Sequence, residues 1–216
     1  MKNIQEAFRM FYKSLVISNN RDLAWERCYQ YFGTDKPKVE LGYLHLTAFL
    51  AVFGMYRGSS KLSKKDYFVN RGAVEIILNY NHKQLREFSF DFGNIEKIMK
   101  LKRKLEKYYG GNGISPTNTL ISKVMLGTLG CVPAYDTSFI QGLRKVEKDK
   151  KIFHTFNKKS IAQLYEFYNY KEHKDDFEKV KEKIKSITQV EYPPMRLVDL
   201  YFWLIGNKKD GDKKKR

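Results

Sequence analysis

Along most of the chain apolar residues return every three or four positions, the spacing that gathers them on one side of an α-helix. Ile4 to Ile17 shows it first, with Phe8, Phe11, Tyr12 and Leu15 on one face. Asn20 and Asp22 are good helix caps, and a second helix is predicted through Trp25 to Phe32, ending at the break Gly33 to Lys38 with its Pro37. Leu41 to Met55 is the most apolar stretch and is predicted as a buried central helix, closed by the turn Arg57-Gly58-Ser59-Ser60. One or two helices are predicted in Tyr67 to Phe88, and a basic amphipathic one in Asn94 to Tyr109. Gly110-Gly111-Asn112-Gly113 reads as a flexible hinge. Beyond it Thr119 to Leu129, Asp136 to Lys145, Lys158 to Tyr170, Asp175 to Ile187 and Pro194 to Ile205 are predicted helices, with a tight loop at Gly130 to Tyr135. No run alternates apolar and polar residues over a useful length, and no internal repeat is visible. The expected fold is all-α: one domain over 1–206, with helical lobes of about 1–109 and 114–206 flanking a central cleft, then a basic flexible tail over 207–216.

Composition supports a real core, since 42% of the 216 residues are apolar. Charge adds the first functional clue. Lys and Arg number 41 against 24 Asp and Glu, a net of +17. The last ten residues hold six basic and two acidic groups, or +4, which leaves about +13 on the body. A compact body so charged calls for an anionic partner, polyphosphate first and an anionic membrane surface second. No apolar run is long enough to span a bilayer, and Met1 to Ser18 carries Glu6, Arg9 and Lys13, which interrupt any signal-like apolar core. Cys28 and Cys131 are too few for a disulfide scaffold, and neither they nor the scattered His45, His82, His154 and His173 have metal-ligand spacing. The expectation is a soluble, cytoplasmic monomer that binds DNA, with no membrane, metal or cofactor.

The stretch Thr117 to Leu143 carries the most chemistry. A helix ends at Gly127 to Gly130, a loop with Pro133 comes next, and Asp136 stands where the following helix begins. There its carboxylate meets free backbone N–H groups and the positive helix end, contacts that favour its charged form. Such a carboxylate at the wall of a cleft can stabilise a developing cation or activate water. Taken alone, the same residue is also an ordinary N-cap, beside Thr137 and Ser138.

The run Val132-Pro133-Ala134-Tyr135-Asp136-Thr137-Ser138-Phe139 resembles the second half of the active-site motif of helix-hairpin-helix DNA glycosylases, in which a loop after the hairpin leads to a catalytic aspartate at a helix start. The resemblance covers about thirty residues. Gly54-Met55-Tyr56-Arg57-Gly58-Ser59-Ser60 and Tyr192-Pro193-Pro194-Met195 are similar to segments of small bacterial proteins, and with them the chain resembles phage-defence glycosylases that excise glucosylated hydroxymethylcytosine. The hairpin departs from the family pattern: Gly113-Ile114-Ser115-Pro116-Thr117-Asn118-Thr119 lacks two of its glycines. Lyase-competent members carry a lysine about eighteen residues before the aspartate, where this chain has Asn118. The resemblance therefore implies a monofunctional enzyme acting on a base everted from modified double-stranded DNA, with Asp136 catalytic and no covalent amine intermediate.

A glucosylated base needs polar groups around a wider pocket, and Tyr56, Arg57, Ser59, Ser60 and Tyr135 are the candidates. The Arg57 to Ser60 run also reads as a plain helix end, with Gly58 at positive φ and a serine capping the next helix. Phosphate contacts are expected from Thr117, Asn118, Thr119 and Lys123 near a helix start, from Lys64 and Lys65, and from part of the group Lys97, Lys100, Lys102, Arg103, Lys104 and Lys107. The dense aromatics Tyr165, Tyr168, Tyr170, Tyr201, Phe202 and Trp203 fit core packing better than base stacking. No P-loop, zincin, dinucleotide-binding or Ser-His-Asp pattern occurs, and no Arg-x4-His pair points to a nuclease toxin. The alternative to an enzyme is a non-catalytic basic DNA- or RNA-binding protein.

Overall fold

The computed structural model describes residues 3–17, 20–58, 60–80, 82–86, 92–146 and 154–207. Among them are eleven α-helices and no strand, so the chain is all-α. The helices are α1 (Ile4–Leu15), α2 (Asp22–Phe32), α3 (Val39–Val52), α4 (Arg71–Leu78), α5 (His82–Arg86), α6 (Phe92–Gly111), α7 (Asn118–Thr128), α8 (Thr137–Val146), α9 (Lys158–Asn169), α10 (Lys171–Thr188) and α11 (Pro194–Asn207). Short 3-10 turns at Lys61–Lys64 and Tyr67–Asn70 join α3 to α4. Ser59, Phe88 and the tail from 208 onward lie outside the described residues.

Polar side chains start several helices by taking an otherwise unpaired N–H. Asn3 accepts from Glu6, Thr117 from Leu120 and Asn157 from Ser160. The glycine tract is not a hinge. α6 runs through Gly110 and Gly111, and Gly113, at φ 72°, closes it. The Ile114 N–H reaches the Tyr109 carbonyl and the Gly113 N–H reaches that of Gly110, a paired arrangement that also brings the buried Ile114 and Tyr109 together. A tract that reads as flexible is a helix stop.

The central helix is α7, where every residue from Leu120 to Thr128 is buried. α3, expected in that place, buries Gly42, Leu46, Phe49 and Leu50 but leaves Leu41, Leu44 and Val52 nearly half exposed. Apolar residues surround α3, yet only one side of it has neighbours, chiefly α2, α4 and α7. The helices also do not divide at residues 109 and 114. α1 packs on α10 and α11, α2 and α3 pack on α7, and one continuous core runs from Ile4 to Ile205.

The closest crossing joins α8 to α11. A Cβ added at Gly142 would fall 1.8 Å from the Phe202 carbonyl oxygen, and one added at Gly206 would fall 1.9 Å from that of Ser138. Glycine at both positions lets the two backbones touch. This crossing fixes the start of α8, and with it Asp136, against α11.

Candidate active site

Asp136 is set by the loop that precedes it. α7 stops at Gly130, which takes φ 65° and lies so near Pro193 and Tyr29 that no side chain fits there. The last carbonyls of α7 are taken by side chains: Trp25 Nε1 donates to Leu126 O at 3.0 Å and Arg86 to Thr128 O at 2.6 Å. The buried loop 131–135 is then tied down from three helices. Tyr165 Oη donates to Cys131 O, and Asp199 accepts the Ala134 N–H at 2.9 Å. Ser122 accepts the Tyr135 N–H at 2.9 Å, and Thr119 donates to Tyr135 O at 2.8 Å. A loop so anchored holds the next side chain in one place.

The Asp136 carboxylate has two partners. Its Oδ1 accepts the Phe139 N–H at 3.0 Å, the capping bond of α8, and its Oδ2 lies 3.2 Å from Lys123 Nζ. Lys123 sits 13 residues earlier and is 8% exposed. Its ammonium also donates to Phe53 O at 2.8 Å. The side chain of Asp136 is 20% exposed, and it opens on a cleft of about 220 Å³. Arg21, Phe53, Arg57, Asp199 and Trp203 are among the residues lining that cleft.

Beneath it lies a buried ionic network. Arg196, 1% exposed, donates to Asp199 Oδ2 at 2.6 Å and to Asp22 Oδ1 at 2.5 Å, with the Trp25 ring 4.7 Å away. Burial alone would lower the Arg196 guanidinium, but Asp22 and Asp199 outweigh it and hold it above its ordinary value. Burial pushes the Asp199 carboxyl up to about 6; Arg196 pulls the other way, and nearby Asp136 adds to the rise. Asp199 thereby links the ionic network to the loop that carries Asp136.

Comparison with known proteins adds no relative: no protein-family model, curated protein or solved structure matches the chain.

Of the base-pocket residues named from the sequence, Arg57 lines the cleft. Tyr56 does not; its hydroxyl accepts from Asn70 Nδ2 at 2.8 Å. Ser60 caps the 3-10 turn after it, accepting the Leu62 N–H. Tyr135 points into the core, stacked on Phe156 and bonded to Ser160 Oγ at 2.5 Å. Of the phosphate contacts, Lys64 and Lys65 are exposed. Thr117 is exposed but caps α7, Asn118 is half-buried, and Thr119 spends its hydroxyl on the loop. Lys123, expected among the phosphate contacts, lies in the cleft beside Asp136 and is almost buried, because α7 is covered on all sides.

On α6, Lys100, Arg103, Lys104 and Lys107 form one exposed stripe beside Tyr80, with Lys104 Nζ 5.0 Å from that ring. Lys102, on another side of the helix, is paired with Glu106 at 2.5 Å. Among the described residues no carboxylate forms an ion pair with the four cations of the stripe.

Sequence reasoning missed Arg21, Asp199, Arg196 and Trp203 as cleft residues. A faint signal was present: Arg196 and Asp199 stand three residues apart inside the otherwise apolar helix Met195 to Ile205, and buried charges are rare unless paired.

Proposed function

We propose that the protein is a monofunctional DNA glycosylase, which hydrolyses the N-glycosidic bond of a modified base in double-stranded DNA and leaves an abasic site. One observation carries this reading: an anchored carboxylate, Asp136, opens on a cleft in a strongly basic protein. In such a reaction the base leaves with the bonding electrons and positive charge grows at the sugar C1′. A fixed carboxylate lowers the energy of that cation or orients the water that attacks it. The succession of α6, a short link, α7, an anchored loop and α8 with Asp136 at its start supports the likeness to helix-hairpin-helix glycosylases. The exposed stripe on α6 supports DNA as the partner.

The substrate class comes from the resemblance: glucosylated hydroxymethylcytosine, as in phage DNA. The cleft volume of about 220 Å³ lies below the roughly 300 Å³ at the small end of ligand pockets, so a glucosyl group would extend through its mouth. The test uses plain, hydroxymethylated and glucosylated duplexes, followed by alkali to break abasic sites. Breaks on a modified duplex that vanish in Asp136→Asn, with DNA binding retained, are the expected result. A second reading is a non-catalytic nucleic-acid binder, favoured by the capping bond to Phe139 and the pairing with Lys123, which give Asp136 a structural role of its own. Binding to all three duplexes with no breaks on any would establish that reading.

A further inference from the structure

The charges around the cleft do not all find partners inside the protein. Lys123 is held by Asp136 and by the Phe53 carbonyl. Arg196 is held by Asp22 and Asp199. Two guanidiniums remain, Arg21 at the start of α2 and Arg57 in the turn after α3, and among the described residues neither has a hydrogen-bond or ion-pair partner. Arg21 is half-buried and wedged between two rings, 4.9 Å from the centre of Phe53 and 4.3 Å from that of Trp203. Burial works against its own charge and Arg196 does the same, while Asp22, Asp199 and Asp136 favour it from a distance.

A guanidinium carries five N–H donors in a flat fork and has no acceptor. Leaving such donors half-buried without a partner is costly, and two stacked rings keep the fork from turning away to find one. The group that satisfies such a fork best is an oxyanion, which takes two parallel N–H bonds from each guanidinium. A phosphate has oxygens enough for both arginines; a carboxylate has two. Asp136 and Asp199 line the same cleft and act on Arg21 as well, so an anionic head there is held by the two guanidiniums against their repulsion.

We propose that Arg21 and Arg57 form a receptor for the phosphate of a nucleotide, and that Arg21 is the preorganised half of it. The proposal deepens the glycosylase reading and rests on it for orientation: phosphate at the arginines turns the sugar toward Asp136. Binding itself does not depend on that reading, and it is measured without any base being released.

The experiment is calorimetric titration of the full chain, at low salt, with 2′-deoxycytidine 5′-monophosphate, 2′-deoxycytidine, inorganic phosphate and a short duplex. Trp203 fluorescence gives a second readout, since Trp203 faces the cleft and stacks with Arg21. The monophosphate should bind and the nucleoside should not. Arg21→Ala and Arg57→Ala should each weaken the monophosphate by about 10- to 100-fold, the loss expected for charge-assisted bonds. Arg21→Lys should fall between Arg21→Ala and the parent, because it keeps the charge and loses the fork and the stacking. Arg57 is exposed, so Arg57→Ala tests the idea even if Arg21→Ala fails to fold. Inorganic phosphate binding as tightly as the monophosphate would assign the receptor to the free ion and overturn its assignment to nucleotides; tighter monophosphate or duplex binding supports that assignment. Equal affinity for nucleoside and monophosphate, or parental affinity in both alanine variants, overturns the proposal. Arginine-dependent binding without base release would leave the receptor standing and remove the glycosylase. Base release without arginine-dependent binding would do the reverse.

Discussion

Two cleft residues, Asp199 and Lys123, carry consequences that can be measured singly. Asp199 is 4% exposed and its carboxyl is pushed up to about 6, while in the unfolded chain it returns to the usual value near 4. The folded state therefore holds the extra proton between those values. The stability Asp199 contributes is complete below about pH 4 and is lost as pH rises through about 6, on the order of 3 kcal/mol. Asp199→Asn keeps an acceptor for the Ala134 N–H and removes the titration. Urea unfolding across pH 4 to 7 should show the parent losing stability over that window relative to the variant; parallel curves would deny the shift. Lys123 supplies a second check. Its Nζ is taken up by the Asp136 carboxylate and the Phe53 carbonyl, and in a monofunctional enzyme no amine attacks C1′, so borohydride should trap no protein–DNA adduct. A trapped adduct that disappears in Lys123→Ala would instead make Lys123 a nucleophile.

Among the elements, the crossing of α8 and α11 is the most exacting. Gly142→Ala drives a methyl group into the Phe202 carbonyl, which is backbone and cannot swing aside. The expected cost is about 3 kcal/mol or more, at or above the upper end for overpacking, read from the urea midpoint. Gly206→Ala should cost a similar amount, and the double variant less than the sum, because once the helices part the second methyl has room. Most helices were legible in the sequence because each buries one apolar side, and the spacing of that side records the helix directly. Which helix lies at the centre was not legible. α3 is more apolar than α7 to the eye, but burial depends on how many neighbours cover an element, and those come from distant parts of the chain. The cleft shows the same limit. Asp136 could be found because its loop and cap are local, whereas Arg21, Asp199 and Trp203 reach it from α2 and α11. Gly110 to Gly113 misled for another reason: glycine serves both a loose tract and a tight helix stop, and only the bonds of Gly113 and Ile114 tell them apart.

Over the whole molecule, the charge of +17 predicts how binding responds to salt. No helix among the described residues is long and apolar enough to cross a membrane. If Lys100, Arg103, Lys104 and Lys107 meet DNA phosphates, replacing all four with glutamine should flatten the plot of log affinity against log salt. The slope should fall by about 0.9 for each phosphate no longer neutralised, in anisotropy titrations between about 50 and 200 mM salt. An unchanged slope would put the DNA on another face. The continuous core has a further consequence. The exposed tip at Gly111 and Asn112 is joined to nothing but its own helix end, while α1 docks on α10 and α11 and α2 docks on α7. A chain divided between Asn112 and Gly113 would leave each fragment with a large apolar surface shaped only for the other. Co-produced, the two pieces should reconstitute by complementation, and neither should persist in solution alone.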